Sequence, residues 1–133
     1  MSFLAQTGSG HSIMMDGAAN AEQPAVGGAN LTARPMELLL AGAGGCSAFD
    51  VVLMLQRGRH AVQGCTVKIS AERADTPPQV FTKIHMHFTV TGSNLPPAAV
   101  ERAVQMSHEK YCSATIMLGK TAAIVTSFEI QAI

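Results

Sequence analysis

The sequence has few charged residues. Lysine, arginine, aspartate and glutamate make up 14% of its 133 residues, and nine basic side chains balance nine acidic ones. Proteins that bind nucleic-acid phosphates usually carry a basic surface, so we expect no nucleic-acid partner. Apolar residues make up 47% of the chain, which is ample for a packed core. Weakly charged apolar surface is typical of an oligomer interface, and we therefore expect a homodimer.

The chain also lacks a membrane-length apolar run, a signal peptide and a dense set of cysteines. A membrane-spanning helix needs about 18 consecutive apolar residues, whereas the longest such stretch is Leu38–Ala43. Met1–Gln6 has no basic start and precedes no apolar core with a cleavage site. The three cysteines are widely spaced, unlike the disulfide framework of a small secreted domain. We expect a cytoplasmic protein outside the membrane, in which cysteines are buried, metal-binding or catalytic.

The first 34 residues are rich in glycine, alanine, serine and asparagine. Phe3–Ala5 and Ser12–Met15 are short apolar segments that favour strands, and Asp16-Gly17 is a dipeptide typical of hairpin turns. The sequence therefore predicts a small antiparallel hairpin or three-stranded sheet near the N-terminus.

A long helix is predicted from Pro35 to about Arg59. Proline suits the first helical turn, and Glu37 in that turn complements the helix dipole. Apolar residues lie on every side of this helix until Gln56. Such a pattern predicts a helix buried at the centre of the domain, or one packed against its twin across a dimer axis.

Three glycines lie in the middle of the predicted helix, at Gly42, Gly44 and Gly45. Each destabilises a helix by about 1 kcal/mol relative to alanine. They indicate a break into two helices, the close approach of another backbone or of a ligand at Cys46, or both. If the helix breaks at Gly44-Gly45, the free N–H groups of a new helix N-terminus would lower the pKa of Cys46.

The rest of the chain predicts three strands and a helix. Apolar and polar residues alternate over 64–73 and again over Val80–Thr91, which predicts a hairpin with one wet face. Pro97–Tyr111 predicts a helix, Ser113–Leu118 a further short helical turn, and Thr121–Ile133 a last strand. Because strands and helices do not alternate regularly, we predict an α+β fold with an antiparallel sheet packed on the long helix.

Cys46 and Cys112 are the candidate redox residues. A redox-active cysteine must form a thiolate and be accessible, and the glycines beside Cys46 leave room for a small substrate. Cys112 follows the polar residues Glu109 and Lys110 at the end of a predicted helix. From the residues alone, Cys46 can instead be a small core residue. Cys65 lies on the apolar face of its strand and is interpreted as a packing residue.

Three segments carry a resemblance to a known family. Pro35–Cys46 is similar to the central-helix motif of the OsmC/Ohr superfamily, the osmotically induced and organic hydroperoxide resistance proteins. Glu72-Arg73 followed by Val80–His85 resembles the hairpin of its YhfA-like branch. Glu109–Ser113 resembles the second cysteine motif. The similarity extends over about residues 30–133, with the motifs in the right order.

The resemblance implies an OsmC-like fold, with antiparallel sheets around a long central helix, in an intertwined homodimer whose interface holds two active sites. It implies one domain over residues 1–133, in which residues 1–33 form N-terminal strands swapped or packed across the dimer and residues 34–133 form the core. It further implies a thiol-dependent peroxidase for hydroperoxides, with Cys46 as peroxidatic and Cys112 as resolving cysteine. A dithiol reductant would complete the cycle, and no metal or organic cofactor is required.

The chain departs from the family pattern in two places. Hydroperoxidases of the superfamily place a glutamate directly after the proline, where this chain has Met36, so the candidate site residue Glu37 lies one position later. Their arginine comes from the N-terminal strands, yet residues 1–33 contain no arginine or lysine, and Arg34 is the nearest cation. These departures motivate an alternative function, a binding protein for a small hydrophobic ligand with weak or no peroxidase activity.

The histidines suggest two further hypotheses. His85 and His87 share a strand face, a spacing that can bind a metal, although such pairs are more often only solvent-facing. His108 precedes Cys112 by one helical turn and would influence that thiol if it faced the same side. A metal site built from Cys46, Cys112 and a histidine is therefore the third function considered.

Overall fold

The computed structural model describes every residue from Met1 to Ile133. Its elements in chain order are β1 (Ser2–Gln6), β2 (Ser12–Asp16), α1 (Pro35–Arg57), β3 (Ala61–Arg73), β4 (Phe81–Ser93), α2 (Pro97–Met106), a π-helix (Ser107–Tyr111), α3 (Ser113–Leu118) and β5 (Ala123–Ala132). Two sheets combined with helices confirm the predicted α+β class. The chain divides into two compact units, Met1–Ala41 and Gly42–Ile133, and α1 begins in the first and continues into the second.

The N-terminal unit contains the predicted antiparallel hairpin, in which β1 pairs with β2. The Asp16-Gly17 dipeptide does not form a hairpin turn. The chain reverses at Thr7–His11, between the two predicted strands, where Thr7 N–H donates to the His11 carbonyl at 2.8 Å. Gly10 supplies the positive φ of 88° that this turn requires. Asp16 instead ends β2, and its buried carboxylate accepts N–H groups from the chain that follows.

The C-terminal unit contains a three-stranded sheet in the order β3-β4-β5. β3 and β4 form the predicted antiparallel hairpin. The expectation of a fully antiparallel sheet is wrong for β5, which pairs with β4 in parallel. The helical segments between β4 and β5 carry the chain back along the sheet, so both strands start at the same end.

One face of β4 forms the centre of the core, as its alternation predicted. Ile84, Met86, Phe88 and Val90 are at most 1% exposed. Burying each such side chain contributes about 1.5–3 kcal/mol of transfer free energy. The opposite face carries His85 and His87, which are half-buried.

The long helix α1 runs from Pro35 to Arg57 without a break, so the helix break considered as one explanation of its glycines does not occur. Gly44 has a packing reason, because a Cβ built there would lie 2.7 Å from Cδ1 of Ile69 on β3. Gly42 and Gly45 face open space, and Phe49 is 68% exposed. The helix is therefore not buried on all sides within one chain. By length and composition alone α1 is long and apolar enough to cross a membrane, a property it shares with core helices of soluble proteins.

The predicted helix Pro97–Tyr111 consists of two parts. α2 buries Val100, Ala103 and Val104 and ends at Met106, after which the chain forms the π-helix. The Ser107 carbonyl accepts the N–H of Cys112 at 2.6 Å, five residues later, the hydrogen-bond spacing of a π-helical turn. The short helix predicted at Ser113–Leu118 is confirmed as α3.

Candidate active site

Cys46 and Cys112 lie side by side in the C-terminal unit. Their Sγ atoms and a carboxylate oxygen of Asp50 all lie within 4.8 Å of one another. Both thiols are free, and Cys46 is half-buried whereas Cys112 is fully buried. The structure therefore brings together the two cysteines that the motifs singled out, and it adds a carboxylate that they did not.

Local structure explains how this cluster forms. Cys46 and Asp50 stand at i and i+4 on α1, so their side chains project from the same face of the helix. Cys112 lies just beyond the π-helix in an extended conformation, with φ −80° and ψ 101°. It is the N-cap of α3, and its Sγ accepts the backbone N–H of Thr115 at 3.4 Å.

Two buried serines support the cluster. Ser107 Oγ donates to Oδ2 of Asp50 at 2.9 Å and lies 3.2 Å from Oγ of Ser47. Ser47 is 1% exposed and Ser107 is fully buried. Sequence reasoning missed these two serines and Asp50. The available signal was the i, i+4 spacing of Cys46 and Asp50 in a helix segment that is otherwise almost wholly apolar.

The two thiols have different acidities. Burial is the largest influence on Cys112 and opposes its ionisation, but hydrogen bonds from Ser47, Thr115 and Cys46 together outweigh it and lower its pKa. For Cys46, burial, the hydrogen bond to Cys112 and the negative charges of Cys112 and Asp50 raise the pKa, and they outweigh the backbone N–H of Ala114, which lowers it. Cys112 therefore loses its proton before Cys46, and the Cys46 thiol then donates to the Cys112 sulfur.

This order differs from the prediction that a helix N-terminus would lower the pKa of Cys46. Because α1 continues through Gly44 and Gly45, its backbone N–H groups near Cys46 are engaged within the helix. The helix N-terminus that the site does contain is that of α3, whose Ala114 N–H contacts Cys46 and whose Thr115 N–H contacts Cys112.

A family model described as OsmC-like protein matches residues 27–127. The chain belongs to the OsmC-like protein family. It is 47% identical over 132 residues to the protein YhfA of Escherichia coli strain K12, a match that covers 99% of this chain and 92% of the relative. The family resemblance inferred from the sequence motifs is thereby confirmed.

Solved structures share the OsmC-like fold. A hypothetical protein from Aquifex aeolicus VF5 is 25% identical with a TM-score of 0.74, covering 100% of this chain and 96% of the other. An organic hydroperoxide resistance protein from Legionella pneumophila is 15% identical with a TM-score of 0.62, covering 97% and 95%. At 15% identity, the similarity to the Legionella pneumophila protein shows a shared fold only.

The Glu37 side chain caps the N-terminus of α1. Its Oε1 accepts the backbone N–H of Arg34 at 2.9 Å, in the first turn of α1. This contact satisfies one of the N–H groups that a helix leaves unpaired at its start. The role of Glu37 in the redox site stays a prediction.

The cluster has no cationic partner within the chain. The ion pairs of the protein involve Asp16 and Glu129, and neither lysine nor arginine is among the main groups that shift the pKa of Cys46 or Cys112. The acidity of the pair therefore depends on hydrogen bonds from neutral groups.

Cys65 stands apart from the cluster. It is half-buried on β3, and burial raises its pKa to about 11. A thiol that stays protonated at neutral pH is a poor nucleophile, in agreement with the packing role predicted for it.

The histidines form contacts away from both sulfurs. His85 Nε2 and His87 Nδ1 lie 2.9 Å and 2.7 Å from Oγ of Ser127, and His87 Nε2 lies 3.3 Å from Glu129. The side chains of His85 and His87 therefore connect the neighbouring strands β4 and β5 by hydrogen bonds. His108 has a buried Nδ1 without a hydrogen-bond partner, and it is not among the main groups that shift the pKa of Cys112.

An open groove of about 760 Å³ begins at Asp50. It lies between the C-terminal half of α1 and α2 and is lined largely by apolar side chains, including Leu53, Met54 and Met106. Arg57 and Arg102 add two cations to its wall. Since Asp50 belongs to both features, the groove gives the cysteine cluster an apolar surface beside it.

Proposed function

We propose that this protein is a thiol-dependent peroxidase that reduces organic hydroperoxides through Cys46 and Cys112. The observation that supports this best is the separation of their sulfur atoms, within 4.8 Å. A disulfide needs about 2.05 Å between sulfurs, so only a small local movement is required. Solved proteins of the same fold are named organic hydroperoxide resistance proteins, which agrees with the proposal.

Cys46 is the proposed peroxidatic cysteine because it is only half-buried, whereas Cys112 is fully buried. The Cys46 thiol passes its proton to the Cys112 thiolate, to which it is hydrogen-bonded. The Cys46 thiolate then attacks the terminal oxygen of the hydroperoxide. The O–O bond breaks, the alkoxide takes a proton from solvent and leaves as an alcohol, and Cys46 becomes a sulfenic acid.

Cys112 resolves this intermediate. Its sulfur attacks the sulfenic sulfur of Cys46, the S–O bond breaks, and water leaves with the remaining proton. The result is a Cys46–Cys112 disulfide, and the two electrons that the thiols have lost now reside in the alcohol and the water. A dithiol reductant supplies two electrons and two protons, becomes a disulfide itself and restores both thiols. The apolar groove that begins at Asp50 favours a hydroperoxide with an apolar organic group over hydrogen peroxide.

A thiol titration tests this function. Metal-free reduced protein is treated with cumene hydroperoxide or hydrogen peroxide, and free thiols are counted before and after. We expect the loss of two thiols per chain and a Cys46–Cys112 disulfide in the peptide mass map. Cys46→Ser should abolish peroxide consumption, Cys112→Ser should accumulate sulfenic acid, and Cys65→Ser is the matched control that retains turnover. Thiols that do not respond to either peroxide would contradict the proposal.

The second candidate function is binding of a small hydrophobic ligand with little or no peroxidase activity. Two observations favour it, the apolar groove and the absence of a cation beside the sulfurs. It predicts that a ligand stays bound through purification while Cys46 and Cys112 remain unreactive. Denaturation and extraction, followed by mass spectrometry of the extract, distinguish the two functions.

The proposed working state is a cytoplasmic homodimer formed from single OsmC-like domains, with the N-terminal strands swapped or packed across the dimer. The exposed side of α1 supports this proposal. Gly42 and Gly45 leave it open, and Phe49 is 68% exposed beside them. A partner chain on this face would cover an aromatic side chain that otherwise remains in water.

A further inference from the structure

We propose that the reduced Cys46–Cys112 pair and Asp50 form a binding site for a thiophilic divalent cation, with Zn²⁺ as the best-fitting ion. The three side chains present two sulfurs and one carboxylate oxygen, all within 4.8 Å of one another. Around a tetrahedral zinc ion, with bond lengths of about 2.0–2.3 Å, neighbouring ligand atoms lie about 3.6–3.8 Å apart. The observed cluster is therefore close to the required spacing.

The donor set selects the ion. Thiolate ligands favour Zn²⁺ and similar soft cations over Mg²⁺ and Ca²⁺, which take oxygen ligands. Three protein ligands leave one position of a tetrahedral ion for water. The sequence had suggested a histidine as third ligand, and the structure replaces that histidine with Asp50.

Hydrogen bonds hold two of the three ligands in place. Ser107 Oγ donates to Oδ2 of Asp50 at 2.9 Å, which leaves Oδ1 free for an ion. Thr115 N–H holds the Cys112 sulfur at 3.4 Å. Such outer contacts orient metal ligands and raise affinity. Both belong to buried groups, since Ser107, Thr115 and Cys112 are fully buried.

Charge also favours a cation at this position. Asp50 has no ion-pair partner in the chain, and deprotonation of the cysteines adds negative charge beside it. A divalent ion would neutralise this charge where the protein provides no lysine or arginine. Metal binding releases the thiol protons, so affinity should rise with pH.

The site has a direct consequence for the chemistry of the pair. A bound ion occupies both sulfurs, so it prevents peroxide attack and disulfide formation, whereas a disulfide removes two of the three ligands. Binding is therefore expected only for the reduced protein. The inference does not depend on peroxidase activity, because the ligands require only reduced thiols.

Titration with Co²⁺, a spectroscopic substitute for Zn²⁺, tests the site. The full-length protein is kept reduced with a phosphine in place of a thiol, and the thiolate-to-cobalt charge-transfer band is recorded. We expect one ion per chain, displaced by Zn²⁺. Cys46→Ser and Cys112→Ser should each remove most of the band, and Cys65→Ser should retain it. Ser107→Ala should weaken binding about 10–100-fold, and Asp50→Asn should weaken it further.

Three results would overturn the proposal. They are the absence of the band in reduced wild-type protein, a full band in Cys46→Ser, and unchanged affinity in Asp50→Asn. A second readout is protection from alkylation, which Zn²⁺ should give to Cys46 and Cys112 but not to Cys65. The peroxide titration is performed without metal, so its failure and the failure of this test are distinguishable.

Discussion

The Sγ atom of Cys112 accepts the backbone N–H of Thr115 at 3.4 Å and so caps the N-terminus of α3. The position of this cap depends on the preceding π-helix. The π-helix contains one more residue per turn than an α-helix would, and it ends with the Cys112 N–H bonded to the Ser107 carbonyl. π-Helical turns occur often at functional sites. Here the wider turn determines where Cys112 enters α3 and thus where its sulfur lies relative to Cys46.

Deletion of Lys110 tests this relationship. Removing one residue should convert the turn to α-helical geometry and rotate the following residue by about 100°. We expect the peroxide-induced Cys46–Cys112 disulfide to form at least about tenfold more slowly, since misplaced reacting groups lose rate steeply. The rate of disulfide formation is measured by quenching the reaction with an alkylating agent at a series of times and quantifying the disulfide by peptide mass mapping. Lys110→Ala, which keeps the chain length, should react at the wild-type rate. Equal rates in both variants would show that the turn does not position Cys112.

The acidities of the two thiols should respond to different neighbours. Asp50→Asn removes a negative charge beside Cys46 and should lower the pKa of that thiol, because the charge contributes to raising it. Ser47→Ala removes a hydrogen bond that favours the Cys112 thiolate and should raise the pKa of Cys112.

Thiolate absorbance measured against pH, in metal-free Cys65→Ser protein, gives both values. Alkylation of Cys46 at neutral pH should accelerate in Asp50→Asn. Glu129→Gln is the matched control, since it removes a carboxylate that contacts His87 and Thr89 on the sheet. Titration curves identical to that of the parent in Asp50→Asn and Ser47→Ala would contradict these assignments.

Much of the fold was predictable because it follows from local patterns. The alternation of apolar and polar residues over Val80–Thr91 predicted β4, and Pro35 followed by a long apolar segment predicted α1. The π-helix was not predictable, since it depends on tertiary contacts around Ser107. The direction of β5 was missed because a strand pattern carries no information about its partner's orientation. The hairpin signal at Asp16-Gly17 was misleading, because the Asp16 carboxylate accepts the backbone N–H groups of Gly17, Ala29 and Leu31 instead of lying in a turn between two strands.

The candidate site was predictable only in part. The two cysteine motifs led to Cys46 and Cys112, but no pattern showed that their sulfurs would meet. Asp50 and Ser107 come from different helices, and their hydrogen bond at 2.9 Å exists only in the folded chain. Such pairings between distant segments depend on the tertiary fold, which no local sequence pattern specifies.

The proposed dimer predicts a strong effect at Phe49. Phe49→Asp places a charge where we expect a partner chain to cover the aromatic ring. Loss of a central aromatic contact costs about 2 kcal/mol or more, which corresponds to an increase of about 30-fold in the dissociation constant. Sedimentation equilibrium over a range of concentrations measures this change. Lys120→Asp, an exposed change in the turn before β5, should leave the association unchanged. A wild-type protein that sediments as a monomer would refute the dimer.

The contact between Gly44 and Ile69 predicts a coupled effect on stability. Gly44→Ala should gain about 1 kcal/mol of helix propensity but push a methyl group toward Ile69 Cδ1, where a Cβ would lie 2.7 Å away. Because that Cδ1 is the far end of a half-buried, flexible side chain, it can move aside at low cost. We therefore expect the two effects nearly to cancel, with a net change in the free energy of unfolding within about 1 kcal/mol. Ile69→Val should relieve the strain and recover at least about 0.5 kcal/mol in a double-mutant cycle from urea unfolding. Ile84→Val, at a core position elsewhere, should show no coupling with Gly44→Ala.

Asp16 predicts a pH dependence of stability in the N-terminal unit. Hydrogen bonds from the backbone N–H groups of Gly17 and Leu31 lower the pKa of Asp16 below its ordinary value of 3.8. A carboxyl group with a lowered folded-state pKa stabilises the protein above its ordinary pKa, and this contribution is lost as pH falls through the folded-state value. Asp16→Asn should therefore reduce the free energy of unfolding near neutral pH, with a difference from wild type that becomes smaller as the pH falls.

Urea unfolding at a series of pH values measures this difference, and Glu22→Gln at an exposed position is the control. A difference between wild type and Asp16→Asn that stays constant across the series would mean that ionisation of Asp16 does not stabilise the fold.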